Sequence, residues 1–208
     1  MPGFFPVARC VNLLHVGMKR FFYFKLFLFI FLSIQGYDAR ATLVFKGSGG
    51  YTTFDHSESE IAYSRMQGSF FVGAGIGRNA YIILGPSYSL WNKSHKPASS
   101  TAEEVAITEF GATLLIYFSR SKNWKFEVTY CPNITGTRTT SGTEEDLLGS
   151  SYSADFGYHM NLTETFILGA SIGYHSTTLS QKIVSNTEST ISESYTQIIP
   201  KLEVALRF

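Results

Sequence analysis

The chain has 208 residues, of which 44% are hydrophobic and only 16% are charged, with a net charge of +1. The charged share lies below the roughly 25% of soluble domains. There is no basic excess, and this excludes nucleic acid as an expected partner. The two cysteines, Cys10 and Cys131, provide neither a disulfide framework nor a metal site. We expect no cofactor and no metal.

The N-terminal segment has the three parts of a secretory signal. These are a basic start at Lys19 and Arg20, an apolar run over residues 26–34, and the small-residue pattern Ala39-Arg40-Ala41. The apolar run is shorter than the roughly 20 residues of a spanning helix, although a retained membrane anchor is the alternative. We therefore predict an N-terminal extension with a cleavable signal peptide over 1–41, with Met18 as a possible start, and one mature domain over 42–208.

Beyond residue 42 the apolar residues recur at every second position, which is the period of a β-strand. In "EFGATLLIYF", for example, Phe110, Leu114 and Phe118 share one side. Segments of this kind lie near 43–55, 62–76, 81–91, 109–118, 123–130, 151–160, 166–175 and 191–208. Most strands of soluble sheets have about 5 or 6 residues, whereas a tilted strand crosses a bilayer with about 9 to 11.

The connections between these segments alternate in length. "GRN", "SRSKN" and "NLTE" are short, and "HSESE", "NKSHKPASSTAEE", "TTSGTEED" and "VSNTEST" are longer and polar. Short turns at one end and long loops at the other are typical of outer-membrane barrels. Because a bilayer offers no water to unpaired backbone groups, the strands have to close on themselves. The sequence predicts an all-β fold, an eight-stranded antiparallel up-and-down transmembrane β-barrel.

The last eight residues, "KLEVALRF", place apolar side chains at alternate positions and end on an aromatic. With this ending the chain resembles the small eight-stranded outer-membrane barrels of Gram-negative bacteria, the OmpA/OmpX/Opa-like group. The resemblance covers residues 42–208 and implies an outer-membrane location, with lipid and lipopolysaccharide around a monomer. It also implies a signal read by the barrel-assembly machinery, formed by Leu202, Val204, Leu206 and Phe208.

Alternation directs a set of charged side chains into the barrel. They are Lys46, Glu109, Lys125, Glu127, Asp155, Lys201, Glu203 and Arg207. An unpaired charge in such an interior is costly, so we expect these four bases and four acids to pair. The alternative is a water-filled path, which would make the protein a small-solute pore.

The long connections are predominantly acidic. Their acids are Asp55, Glu58, Glu60, Glu103, Glu104, Glu144, Glu145, Asp146, Glu188 and Glu193. We predict a structural or surface-interaction role, in adhesion or envelope stability, in which acidic extracellular loops meet an extracellular ligand. Divalent cations could also bridge these acids to lipopolysaccharide, although no spacing forms a dedicated calcium loop.

An acyl hydrolase acting on lipid A is the enzymatic alternative. His175, Ser176 and Glu188 supply the residue types of a Ser-His-acid set. Adjacent residues of a strand point to opposite faces, however, so His175 and Ser176 should not meet. We predict that the protein is not an enzyme and that His175 is an interior polar residue.

Aromatic residues cluster near the strand ends, as in the interfacial girdles of membrane barrels. One group, near the short turns, is Tyr81, Phe118, Trp124, Phe166 and Phe208, and the other, toward the long loops, is Tyr88, Trp91, Tyr152 and Tyr174. We expect these side chains to face the lipid.

Overall fold

The fold is taken from a computed structural model that describes residues 42–56, 61–76, 81–96, 102–118, 120–140, 142–184 and 187–208. The predicted signal segment, Glu58 and Glu60 lie outside these residues. The strands are β1 (Leu43–His56), β2 (Ile61–Ile76), β3 (Ile82–Lys96), β4 (Glu103–Tyr117), β5 (Trp124–Thr140), β6 (Thr143–Asn161), β7 (Phe166–Val184) and β8 (Thr187–Arg207). Within the described ranges, no helix has the length and apolar character needed to cross a membrane.

The eight strands form a closed ring in chain order, and every neighbouring pair is antiparallel. The ring closes where β8 pairs with β1, from Val44 opposite Arg207 to Gly50 opposite Lys201. At the edge of this joint Leu43 and Phe208 exchange two backbone hydrogen bonds of 2.9 Å. The predicted eight-stranded antiparallel barrel is confirmed.

The two ends of the barrel differ in the connections that they hold. We call the end with the β1–β2, β3–β4, β5–β6 and β7–β8 connections the outer end, and the opposite end the inner end. Two of the four long loops predicted at the outer end are wrong: β5 and β6 are separated only by residues 141–142, and β7 and β8 only by 185–186. Glu144 and Glu188 therefore lie on strands. Threonine favours strands, so backbone pairing continues here after the apolar alternation has ended.

Large apolar side chains cover the outer surface of the barrel in the part that lies toward the inner end. Leu202 is 75% exposed and Ile198 is 64% exposed. The last such residue on each strand, β1 to β8, is Tyr51, Met66, Leu90, Phe110, Tyr130, Tyr152, Tyr174 and Ile198. Polar residues follow outward on every strand, on β5 after the exposed Pro132: Thr53, Ser64, Asn92, Thr108, Asn133, Ser150, Ser176 and Thr196. We call this surface the apolar belt; its extent exceeds the apolar patches of soluble monomers and matches the lipid-facing band of membrane barrels.

Trp91 does not belong to the apolar belt. Its side chain is 1% exposed and lies inside the barrel, so its assignment to the outer girdle is wrong. Leu90 points outward, and alternation therefore turns Trp91 inward. Tyr81 is half-buried and packs against the buried cluster that contains Ile83, so its assignment to the inner girdle is wrong as well. Tyr88, Tyr152 and Tyr174 are exposed on the outside near the upper edge of the belt.

Gly85 lies where β2 and β3 come too close for a side chain. A Cβ atom there would lie 1.9 Å from the Val72 carbonyl oxygen, whereas a Cβ at Gly68, on the outside, would meet nothing within 4 Å. We expect Gly85→Ala to cost about 1–3 kcal/mol through forced backbone movement, and Gly68→Ala to stay within about 0.5 kcal/mol. Urea unfolding in lipid vesicles measures both, and equal stabilities would contradict the close approach.

Candidate functional site: the barrel interior and its outer end

Two apolar clusters fill the barrel interior, one toward each end. The inner apolar cluster consists of Val44, Phe71, Ile83, Leu115, Tyr117, Ile167 and Ala205. The outer apolar cluster consists of Trp91, Val105, Ile107, Cys131, Ile134, Leu147 and Leu179, with Ile191 and Tyr195 packed against it. Polar and charged side chains lie between the two clusters.

The lower charged cluster surrounds Glu203, next to the inner apolar cluster. Lys125 donates to Glu203 at 2.7 Å and to Glu127 at 3.0 Å. Lys46 also donates to Glu127 and lies 3.7 Å from a Glu203 oxygen. His159 Nε2 lies 2.8 Å from Glu203, and its Nδ1 lies 2.9 Å from the Tyr117 hydroxyl. Each charge thus has at least one opposite partner, as a buried ionic group requires.

The upper charged cluster surrounds Glu109, next to the outer apolar cluster. One carboxylate oxygen of Glu109 accepts from the Trp91 indole at 2.9 Å and from Thr177 at 3.3 Å. The other accepts from Ser89 at 2.6 Å and contacts His175 Nε2 at 3.1 Å. Four contacts on two oxygens satisfy this buried carboxylate.

The contacts of His175 determine which of its nitrogens carries the proton. Arg65 Nη2 lies 2.7 Å from His175 Nδ1, and because a guanidinium can only donate, Nδ1 has to accept. The proton therefore lies on Nε2, which donates to Glu109. The Arg65 guanidinium also stacks on the Trp91 ring, 4.1 Å from its centroid. Arg65, His175 and Trp91 thus form one packed unit.

A cavity of about 20 Å³ separates the two charged clusters. Gln67, Ser87, Asp155 and Lys201 are among its lining residues, and Lys201 and Asp155 form an ion pair of 2.6 Å. A cavity of this size holds about one water molecule, which is too little for a solute. The described interior is thus packed, with ion pairs around Glu203 and at Lys201 and with hydrogen bonds around Glu109.

Seven of the eight charged residues placed inside the barrel from the sequence are buried there, and Arg207 is the exception. Arg207 is half-buried at the inner rim, where it donates to Asn161 at 2.9 Å. Arg65, which is 1% exposed, is a further buried charge that the predicted set does not contain. Its neighbour Met66 points outward. Because adjacent residues of a strand point to opposite faces, the position of Arg65 next to Met66 is the signal that could have identified it.

Leu202, Val204, Leu206 and Phe208 lie on the outside of β8, where they are 39–75% exposed. They contribute to the apolar belt on the strand that closes the ring. Their recognition by the assembly machinery stays a prediction.

The residues considered for ester hydrolysis are not brought together. Both ring nitrogens of His175 are occupied by Arg65 and Glu109. Ser176 faces the opposite way, with its hydroxyl 3.2 Å from that of Thr196. Glu188 is paired with Ile183, farther toward the outer end. Among the described residues, no group of three or more His, Cys, Asp or Glu could hold a metal ion.

An outer collar of polar side chains lies above the outer apolar cluster. Its members are Lys93, Glu103, Arg138, Glu145, Lys182, Glu193 and Tyr195, from six strands. Arg138 donates to both carboxylate oxygens of Glu193 and lies 3.9 Å from Glu145. Lys182 donates to Glu145 at 3.1 Å, and Tyr195 donates to Glu103 at 3.3 Å. The collar ties the upper parts of these strands together.

The cations of the outer collar have different surroundings. Burial opposes the charge of Arg138, but its hydrogen bonds to Glu193 outweigh burial and raise the pKa of Arg138. Lys93 lies over the Tyr195 ring, 4.4 Å from its centroid, and burial lowers the pKa of Lys93. Both side chains are half-buried, so neither presents a fully exposed positive charge.

The exposed charge of the outer end is negative. Glu104, Glu144, Asp146 and Glu188 are exposed, whereas the basic residues whose side chains are described there, Lys93, Arg138 and Lys182, are half-buried. Glu145 and Glu193 are engaged with Arg138 and Lys182. The described outer end is therefore an acidic surface on paired strands.

Solved structures share this fold. The Neisserial surface protein A, NspA, matches with a TM-score of 0.51 and 13% identity over 81% of this chain and 99% of that chain. Ail, the attachment invasion locus protein of Yersinia pestis, matches with a TM-score of 0.45 and 10% identity over 82% and 99%. OprG, an outer membrane protein of Pseudomonas aeruginosa, matches with a TM-score of 0.40 and 10% identity over 84% of this chain and 98% of that chain.

No protein-family model and no curated protein matches the chain. The chain nevertheless has the fold of the small eight-stranded outer-membrane barrels, as its sequence predicts. At 13% identity this likeness is one of fold alone.

Proposed function

We propose that the protein is a non-catalytic barrel of the outer membrane that binds an extracellular partner at its acidic outer end. The observation that carries the proposal is the charge of this end. Four acids are exposed there, and the bases whose side chains are described are half-buried. The apolar belt supports the location, because lipid is the solvent that such a surface needs.

The packed interior supports binding rather than transport or catalysis. The lower charged cluster is ion-paired, the carboxylate of the upper one is hydrogen-bonded, and an apolar cluster lies beyond each of them. A pore needs a continuous water path, and the cavity of about 20 Å³ does not provide one. We infer that the interior holds the outer end in place.

The acidic surface selects for the charge of its partner. Exposed charges of one sign attract an opposite charge over about a Debye length and speed its encounter. A cationic segment of a protein is the partner that fits four exposed carboxylates. Such binding weakens as salt rises.

The test replaces the exposed acids with their amides. The variant carries Glu104→Gln, Glu144→Gln, Asp146→Asn and Glu188→Gln, and the probe is a lysine-rich peptide added to protein in neutral lipid vesicles. We expect peptide affinity at low salt to fall by about tenfold or more, because steering and attraction are lost. Fluorescence titration measures the affinity.

Two controls accompany this test. A peptide with glutamine in place of lysine should bind neither protein. The variant should keep the mobility difference between heated and unheated samples on a gel, which reports a closed barrel. Equal affinity of the variant and the unmodified protein for the lysine-rich peptide would contradict the proposal.

A further inference from the structure

Strand β8 is paired on both edges near the inner end but on one edge only near the outer end. Its ladder with β1 stops at Gly50 opposite Lys201, whereas its ladder with β7 continues to Val184 opposite Thr187. Residues 187–200 of β8 therefore have no ladder partner on the β1 side among the described residues. We call this stretch the free edge.

The backbone bonds of the ring show which groups point to the free edge. Phe208 exchanges hydrogen bonds with Leu43 of β1, and the Arg207 amide donates to Thr165, on the β7 side. Even-numbered residues of β8 therefore face β1. Pairing with β7 has no register shift between residues 193 and 206, so the period of two is kept. The N–H and C=O groups of Ser194, Thr196 and Ile198 consequently point to the free edge.

Pro200 explains where the ladder with β1 ends. It is the next even-numbered residue after Leu202, and it has no N–H to donate toward β1. The strands are also close at this point, since a Cβ atom at Gly50 would lie 2.6 Å from the Pro200 carbonyl oxygen. The free edge thus begins at a residue that cannot continue the ladder.

The free edge lacks the usual protection of an exposed strand. Natural edges carry lysine or proline, which prevent pairing with another chain. Between residues 187 and 199 β8 contains neither. A register shift between Leu179 and Gln181 of β7 interrupts its pairing with β8. The part of the free edge in which the period of two is kept is therefore residues 193–199. Thr196 is the first polar outward residue above the apolar belt, so this part extends beyond the belt.

We propose that the free edge at Ser194, Thr196 and Ile198 binds an extended cationic segment of a partner protein as an added strand. This inference rests on the proposed function and states how the partner docks. Backbone groups supply the hydrogen bonds in such strand addition, and charges select the segment. The exposed charges beside this stretch are acidic: Glu188 of β8 and Asp146 of β6 flank Ile183 of β7 in the sheet, whereas Glu193 is already paired with Arg138. A second copy in the same membrane fits less well, because its β8 runs in the same direction and could pair only in parallel.

The test removes one N–H from the free edge. The probe is a nine-residue peptide of alternating lysine and threonine, and the variants are Thr196→Pro and Thr196→Ala. Proline at 196 removes only the N–H that faces the free edge, as Pro200 does natively, while both variants lose the side-chain contact with Ser176. We expect Thr196→Pro to weaken peptide binding by about fivefold and Thr196→Ala to leave it unchanged. A peptide N-methylated at alternate residues should also bind more weakly.

The outcomes separate this inference from the proposed function. If the acid-to-amide variant loses binding while Thr196→Pro and N-methylation have no effect, strand addition is wrong and the acidic surface still binds. If the unmodified protein does not bind the lysine–threonine peptide, strand addition is wrong as well. A doubled mass of the unmodified protein in lipid nanodiscs, restored to one copy by Thr196→Pro, would make the occupant a second copy and overturn the proposal. Gel mobility checks that both variants are closed barrels.

Discussion

Glu203→Ala is expected to lower the free energy of unfolding by about 3–5 kcal/mol, because it leaves buried charges without their partner. Lys125 donates to Glu203 at 2.7 Å, and His159 lies 2.8 Å from it. Lys46 would retain Glu127 alone, which it shares with Lys125. The excess of positive charge is shielded from water, since these residues are at most 6% exposed.

Urea unfolding in lipid vesicles, followed by tryptophan fluorescence and by gel mobility, measures this loss. Glu188→Ala is the matched control, because Glu188 is an exposed glutamate on the same strand. It should change the free energy of unfolding by no more than about 0.5 kcal/mol. Equal stability of the two variants would show that the lower charged cluster does not hold the barrel together.

Trp91→Ala is expected to cost about 3–5 kcal/mol through the cavity that it leaves. Trp91 fills the centre of the outer apolar cluster and is 1% exposed. Its loss also removes a donor to Glu109 and the surface on which Arg65 stacks. The variant should unfold at lower urea concentration in the same vesicle assay.

Trp124→Ala is the control for Trp91→Ala, since it removes the same side chain from the outside of the barrel. Trp124 is 48% exposed and stacks on Phe156 at 5.4 Å between centroids. Loss of this ring pair should cost about 0.5–1.5 kcal/mol beyond any contact with lipid. If Trp124→Ala were as damaging as Trp91→Ala, the packed interior would not be the main source of stability.

The sequence was sufficient for the fold because lipid imposes a simple pattern. Every second residue in the belt faces hydrocarbon. The part of each strand toward the inner end can therefore be recognised from the alternation of apolar residues such as Leu114 and Leu202. The same parity indicated that Lys125 and Glu203 lie inside. It did not indicate which charges meet, because partners such as Lys125 and Glu203 are 78 residues apart.

The upper strand ends could not be predicted from the same pattern. Above Ile198 and Tyr130 the outer face of the strands carries polar residues and register shifts interrupt the period of two, so the simple apolar alternation stops although the ladder continues. Most residues of the predicted long loops therefore lie on strands. Trp91 lies inside for a related reason: an aromatic residue suits both a girdle and a packed interior, and only its place next to the outward Leu90 separates the two.

The closing joint of the ring is its shortest, with seven residue pairs between β1 and β8 against eighteen between β7 and β8. A closed ring opens most readily at the contact with the fewest ladder bonds. Heat or mechanical force should therefore separate β1 from β8 first and leave a curved sheet whose remaining hairpins are intact. The same joint is the last that a β1–β7 sheet needs, so the ring is complete only when residues 201–207 of β8 pair with residues 44–50 of β1.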